Sequence, residues 1–204
     1  MPARRRYPKR THVFLNCPFD DEYENLFLAL IAGLTALGLT PRCVLEIPAD
    51  RNRLQRLFRL IRQCASSVHD LSRVQLSPRP PRVPRFNMPF ELGLAVAFSL
   101  SKPRHRWYLL EARKHRLQAS LSDVNGFDPY VHNGTPTGVL AALANAFVKR
   151  GRQPTLGELR HLYRAVRTFW GDLKKRERLS LFGSRAFREV VVASLQIAER
   201  RQLL

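Results

Sequence analysis

The stretch RFNMPFELGLA, residues 85–95, places one carboxylate at the beginning of an apolar helical pattern. A basic, proline-rich segment leads into Pro89, which suits the first helical position because no backbone N–H is needed there. Glu91 then falls in the predicted first turn, near the positive end of the helix dipole. Two interpretations follow. Glu91 is an acid that complements the dipole, which is the commoner use of such acids, or it is a catalytic carboxylate at the rim of a pocket.

On either side of this stretch, short apolar runs alternate with helical patterns. Asp21 and Asp50 are the predicted caps of the first two helices. The alternation of strands and helices predicts an α/β fold, in which a parallel sheet is covered by helices on both faces. The predicted strands occupy residues 12–17, 41–48, 67–72 and 106–111.

The character of the chain changes after Gln153, where two basic amphipathic helices are predicted. We therefore divide the chain into a basic tail (1–11), an α/β domain (12–150) and a helical C-terminal extension (151–204). An arginine- and proline-rich loop occupies residues 73–88 of the α/β domain. The extension is a candidate lid, oligomerisation element or nucleic-acid-binding appendage.

Charge dominates the composition. The 204 residues include 35 lysines and arginines but only 16 acids, which gives a formal net charge of +19. Such an excess predicts attraction to polyanions, which include nucleic acid, an anionic membrane and a phosphorylated small ligand. A hydrophobic content of 45% excludes a chain that is disordered throughout.

The three cysteines, Cys17, Cys43 and Cys64, have no metal-binding spacing. Their odd number, without a secretory signal, predicts free thiols in a reducing compartment. The longest apolar stretch, residues 26–39, is too short to span a bilayer. We therefore expect a cytoplasmic protein with no membrane partner. His69 and His132 lack a spaced third ligand, so we predict neither a metal nor another cofactor.

Ligands of parallel α/β sheets bind beyond the carboxyl ends of the strands. That edge is expected to collect residues 16–20 after the first strand, residues 70–73 after the third, and Glu91. The segment 123–134 is rich in polar and glycine residues and contains two aromatic residues. It is either a functional loop over this edge or a plain surface loop.

The segments VFLNCPF (13–19), SVHDLS (67–72) and FNMPFELGLA (86–95) resemble the nucleoside 2-deoxyribosyltransferase-like and TIR-like group. The resemblance covers about residues 12–112. It implies a flavodoxin-like sheet and cleavage of an N-glycosidic bond in a nucleoside, a nucleotide or NAD. Many bacterial TIR-like members act in antiphage defence.

The resemblance also assigns roles by position. Glu91 would be the catalytic carboxylate, because a carboxylate stabilises the oxocarbenium character that develops on the ribose. Asp70 would line the ribose side of the pocket. The pocket floor would be formed by Asn16, Cys17, Pro18 and Phe19. Further substrate-binding candidates in the matching segments are Ser72, Asn87 and Met88, and the phosphate-binding candidates are Arg73 and Arg85. The resemblance does not extend to the loop 123–134, which adds Asp128 and His132 as substrate-binding candidates if it closes over the ligand.

One departure from the group affects the expected substrate. Deoxyribosyltransferases place an additional acid in the loop before the glutamate, whereas this loop contains arginine and proline, which favours a phosphorylated ligand. The sequence thus predicts a hydrolase or transferase that acts on NAD or a nucleotide, as a homo-oligomer or in a partner assembly. The alternative is a non-catalytic module of the same fold that senses a nucleotide or binds nucleic acid.

Overall fold

Five parallel strands form one sheet in the computed structural model, which describes residues 11–47, 52–74, 83–124, 126–148 and 151–204. The strand order is β2-β1-β3-β4-β5, the flavodoxin-like order of doubly wound folds. The predicted α/β class is confirmed. The strands are β1 (Thr11–Asn16), β2 (Leu39–Cys43), β3 (Ser66–Asp70), β4 (Arg106–Glu111) and β5 (Tyr130–Val131).

Seven α-helices lie within the described residues and cover both faces of the sheet. Phe14 of β1 packs with α2 and α3 on one face, whereas its neighbours Val13 and Leu15 pack with α1 and α5 on the other. This division follows from the alternation of side chains along a strand. The helices are α1 (Glu24–Ala36), α2 (Arg53–Gln63), α3 (Asn87–Ser101), α4 (Arg116–Ser120), α5 (Pro136–Ala146), α6 (Leu156–Glu177) and α7 (Ser184–Arg200).

The central helix of the α1 face is buried on all sides. Every residue of α1 from Leu26 to Ala36 is buried, because the helix packs against α5, α6 and α7 as well as the sheet. A helix that is hydrophobic all round requires such cover. The predicted helical C-terminal region supplies it through Trp170 of α6 and Phe187 of α7, which belong to the same core as α1.

Three local predictions were wrong. The side chain that caps the turn before α1 belongs to Asp20, which accepts from the Tyr23 N–H, and not to Asp21. The second strand ends at Cys43, where a short 3-10 turn begins. Residues 123–134 are not wholly loop, because they contain β5. Pairing to the end of β4 holds this two-residue strand, which is too short to leave an alternating pattern.

Several predictions lie outside the described residues. These are the first ten residues of the basic tail, the proposed cap Asp50 and residues 75–82 of the arginine- and proline-rich loop.

Candidate active site

The helix that carries Glu91 begins earlier than predicted. It starts at Asn87, so Pro89 is its third residue and Glu91 its fifth, outside the first turn. Proline is tolerated at the third position because the first four N–H groups of a helix have no partner within it. The dipole acts mainly within the first turn. Complementing the dipole therefore does not explain why an acid occupies position 91.

Glu91 lies on the side of α3 that faces the sheet. The buried residues of this helix are Met88, Glu91, Leu92 and Ala95, at the spacing of one helical face. Glu91 is 8% exposed, and no hydrogen bond joins its carboxylate to another described residue. Burial raises the pKa of Glu91 to about 7, although the positive charge of Arg53 opposes the shift. This carboxyl group therefore changes charge near neutral pH.

Cys17, directly after β1, lies within electrostatic range of Asp70 and Glu91. Burial raises the pKa of its thiol, and the negative charges of Asp70 and Glu91 raise it further. The thiol is thus held protonated, which excludes a role as a nucleophile at neutral pH. All three cysteines are free and buried, as predicted for free thiols.

Asp70, at the end of β3, is completely buried and surrounded by donors. Its carboxylate accepts a short hydrogen bond from the Tyr23 hydroxyl and another of 2.8 Å from the Ser72 N–H. Nε2 of His132 lies 3.1 Å away but is poorly aligned, so we treat it as an electrostatic contact. Burial alone would raise the pKa of Asp70, but His132, Tyr23 and Ser72 together hold it below its usual value.

His132 reaches Asp70 because a tight turn follows β5. Its Nδ1 accepts from the Gly134 N–H, so the proton of a neutral ring lies on Nε2, which faces Asp70. Gly138, in the first turn of α5, packs directly against the His132 carbonyl group. The backbone conformation where α5 begins therefore fixes the position of His132.

Gly138→Ala should disturb this turn. An added Cβ would lie 1.9 Å from the His132 carbonyl oxygen, and because that atom is backbone the whole turn must shift. We expect a loss of about 2 kcal/mol in the free energy of unfolding, measured by urea denaturation. Gly93→Ala, in open space on α3, is the matched control and should gain up to about 1 kcal/mol. Equal stabilities of the two variants would contradict this prediction.

Asn16 fastens the beginning of α3 to the sheet. Its side-chain Nδ2 donates to the Met88 carbonyl oxygen at 2.7 Å and lies 2.9 Å from His69 Nδ1. His69 is neutral, because burial and the nearby His105 lower its pKa to about 3. Its Nε2 lies 2.8 Å from the Ser67 hydroxyl, which continues the network into the sheet. Asn16 thus fixes the helix on which Glu91 lies.

A cavity of about 270 Å³ opens at the carboxyl ends of β3, β4 and β5. The Ser72 hydroxyl, which is buried and has no hydrogen-bond partner among the described residues, belongs to its wall. Arg73 and Arg116 also line it, but Arg73 pairs with Glu22 at 2.6 Å and Arg116 with Glu111 at 2.8 Å. The remaining lining residues are Glu22, Leu26, Ala112, Arg113, His132 and Gly134.

A second, mostly apolar cavity of about 520 Å³ lies between the beginning of α3 and α4. Leu71, Phe86 and Leu117 are among its lining residues. Glu91 lines neither of the two cavities. The carboxylate and the arginine-lined cavity are therefore separate features of one sheet edge.

The structure places four other predicted site residues outside the cluster around Asp70. Pro18 is buried, and Phe19 packs against Phe27 with ring centroids 5.6 Å apart, so both contribute to the core. Asn87 and Asp128 are exposed, and no hydrogen bond links either side chain to the cluster around Asp70.

The predicted phosphate-binding arginines are both paired. Arg85 forms a short ion pair with Asp20, and Arg73 lies 3.3 Å from the same carboxylate. A phosphate would therefore have to compete with Asp20 for them.

Sequence reasoning missed Tyr23 and Arg116 as members of this edge. Tyr23 follows β1 and could have been placed there from the rule that strand ends share one edge. Arg116, in the basic segment after β4 and the first residue of α4, follows the same rule. Its bidentate contact with Glu111, the last residue of β4, had no sequence signal.

Among the described residues, no group of three or more His, Cys, Asp or Glu side chains is arranged to hold a metal ion. None of the helices described is both long enough and apolar enough to cross a membrane.

No protein-family model matches the chain, and no curated protein matches its sequence. The resemblance to the deoxyribosyltransferase-like and TIR-like group therefore depends on its three short segments.

Proposed function

We propose that this protein cleaves the N-glycosidic bond of NAD or of another phosphorylated nucleoside, as a hydrolase or transferase, with Glu91 as the catalytic carboxylate. The observation that carries the proposal is the state of Glu91, which is buried, has no hydrogen-bond partner among the described residues and has a pKa near 7. A buried acid in this state lowers stability, and such residues cluster at functional sites.

The chemistry requires a negative charge beside the ribose. As the bond from C1′ to the base nitrogen breaks, its electron pair leaves with the base and C1′ gains oxocarbenium character. The ionised Glu91 stabilises that charge or forms an ester with C1′. In hydrolysis, water then supplies the hydroxyl group at C1′. Its other proton goes to a base that leaves as an anion, or to solvent when the base is nicotinamide, which leaves NAD as a neutral molecule.

The arginine-lined cavity at the same edge of the sheet favours a phosphorylated ligand. It offers Arg73, Arg113, Arg116 and the unpartnered Ser72 hydroxyl, groups that commonly bind phosphate. Asp70 is too deeply buried to touch a ligand in the cavity. Its part in this proposal is to position Ser72 and His132, which do line the cavity.

Membership of the deoxyribosyltransferase-like and TIR-like group belongs to the same proposal and is supported by the three matching segments. A place in a bacterial defence assembly, with α6 and α7 as oligomerisation elements, follows from that membership alone.

The test is base release from a panel of NAD, nucleoside monophosphates and free nucleosides, followed by chromatography. We expect release from a phosphorylated member of the panel, and none with Glu91→Gln. Glu189→Gln, which removes a carboxylate of α7 that lines neither cavity, is the matched control and should retain activity. Because the ionised form of Glu91 is required, kcat/KM should rise as the pH increases through about 7.

Two results would contradict the proposal. One is full activity of Glu91→Gln. The other is binding of a nucleotide by the wild-type protein without base release from any substrate, which is the behaviour of the non-catalytic sensing module.

A further inference from the structure

One exposed face of α6 carries only positive charge. Residues 160, 164, 167, 171, 175 and 178 recur at intervals of three or four, so they share one side of the helix. Apart from Gly171, all of these positions are cationic and exposed. We call these five residues the α6 basic stripe: Arg160, Arg164, Arg167, Lys175 and Arg178. At 1.5 Å per residue, the stripe is about 27 Å long.

The stripe lacks the acids that normally balance a solvated helix. Of the three acids of α6, Glu158 pairs with Arg152, and Glu177 pairs with Arg176 and Arg185, all outside the stripe. The third, Asp172, is exposed beside the stripe, three residues before Lys175, and is the one acid of α6 that borders it. No ion pair joins a residue of the stripe to an acid of the described chain. Like charges three or four residues apart destabilise a helix by about 0.2–0.5 kcal/mol per pair.

The C-terminal end of the stripe has a second unfavourable feature, which is backbone strain. Arg178 adopts a left-handed conformation, with φ of 52°, directly after α6. Glycine or asparagine is usual at this position, because a side chain is disfavoured there. The backbone strain belongs to the end of the helix, whereas the charge repulsion along the stripe is unfavourable in the isolated fold and would be relieved by a polyanionic partner.

We propose that the α6 basic stripe binds the sugar–phosphate backbone of a nucleic-acid duplex. A length of about 27 Å corresponds to about eight base pairs at 3.4 Å per pair. Gly157 and Gly171 have no side chains and lie beside the cations, which allows the helix backbone to approach the duplex closely. Because contacts to phosphates carry no sequence information, we expect this binding not to depend on base sequence.

An anionic membrane fits this face less well. Helices that lie on membranes insert an apolar face beside their cations. The apolar face of α6 is instead buried against α1, with Leu159, Leu162 and Val166 fully covered. Between Arg160 and Arg178, no large apolar side chain of α6 is among the exposed ones; Leu156, four residues before Arg160, is 40% exposed and is a single side chain rather than an apolar face.

This interface is independent of the proposed active site. Glu91 lies on α3, which covers the opposite face of the sheet from α1 and α6. A failure to cleave any nucleotide would therefore leave the duplex-binding proposal standing, and a failure to bind duplex would leave the enzymatic proposal standing.

The test uses fluorescence anisotropy of labelled 20-base-pair DNA and RNA duplexes of arbitrary sequence, titrated with the full-length protein from 0.05 to 0.3 M salt. The variant Arg160→Gln/Arg164→Gln/Arg167→Gln removes three charges from the stripe. Its matched control, Arg59→Gln/Lys102→Gln/Arg104→Gln, removes three exposed charges from the opposite side of the sheet. The two variants therefore have the same net charge. Circular dichroism and thermal unfolding verify that both are folded.

We expect the stripe variant to weaken duplex binding roughly 10²- to 10³-fold at 0.1 M salt, since each phosphate contact adds about 0.9 to the slope of log affinity against log salt. That slope should become shallower by about 2.7, whereas the control should change affinity less than tenfold. Equal losses in both variants would overturn the proposal, as would an absence of duplex binding by the wild-type protein. Stripe-dependent binding to phosphatidylserine vesicles without duplex binding would assign the surface to membranes instead.

Discussion

Glu91→Gln should abolish base release and at the same time make the protein more stable at pH 8. The loss of activity should be roughly 10³-fold or more, as for other groups that stabilise charge in the transition state. The gain in stability follows from the pKa of about 7 in the folded protein, against an ordinary value of 4.5. Because the folded state binds the proton more tightly than the unfolded state does, the Glu91 contribution to stability falls as the pH rises from about 4.5 to 7.

The measurement is urea denaturation of both proteins at pH 5 and pH 8. Between pH 5 and pH 8, the free energy of unfolding of the wild type should fall by about 2.5 kcal/mol relative to that of Glu91→Gln, because glutamine does not titrate. Glu22 offers a matched control, since its side chain is 68% exposed, and Glu22→Gln should leave the pH dependence unchanged. A Glu91→Gln variant that is less stable than wild type at pH 8 would show that Glu91 makes a stabilising contact.

The sheet was predictable because its strands leave local patterns in the sequence. Residues 106–111 were predicted as a strand and form β4 without adjustment. β5 left no such pattern, since two residues cannot show alternation. The cap before α1 was misplaced by one residue because Asp20 and Asp21 are adjacent and both suit the position chemically.

The candidate site was only partly predictable, because half of it depends on distant pairings. The topology rule places the residues after β1 and β3 at one edge, and it gave Asn16 and Asp70. It does not show that Asn16 donates to the Met88 carbonyl oxygen, 72 positions away in the chain. Nor does it predict that Glu91 faces the sheet, because that depends on where α3 begins.

Two acids of this edge, Glu91 and Asp70, differ in the way that is expected of a site with divided roles. Burial leaves Glu91 without compensation and raises its pKa, whereas Tyr23, Ser72 and His132 compensate the burial of Asp70 and lower its pKa. Near pH 7 one carboxyl group therefore titrates while the other stays ionised. Pairs whose environments separate their pKa values in this manner usually separate the reacting group from its supporting charge.

Asp70→Asn should therefore be strongly destabilising at pH 7, by about 3–5 kcal/mol, although the side chains have nearly the same shape. The carboxylate accepts from the Tyr23 hydroxyl and the Ser72 N–H and faces Nε2–H of His132. Asparagine has one acceptor oxygen, so its NH₂ group must face one of these donors and leave it unpaired in the core. Urea denaturation measures the loss.

Tyr23→Phe separates the loss of one hydrogen bond from the loss of the charge. It removes only the hydroxyl donor and should lower the free energy of unfolding by about 1.5–3 kcal/mol. The double variant should lose less than the sum of the two single changes.

The pH dependence of the Asp70→Asn effect provides an independent criterion. The folded-state pKa of Asp70 lies below its ordinary value of 3.8, so its contribution is complete above that value and is lost only as the pH falls through the folded-state pKa. The Asp70→Asn difference should thus stay constant from pH 5 to 8, the range over which the Glu91→Gln difference grows. A difference that grows over this range for both variants would mean that the two acids titrate as one coupled pair.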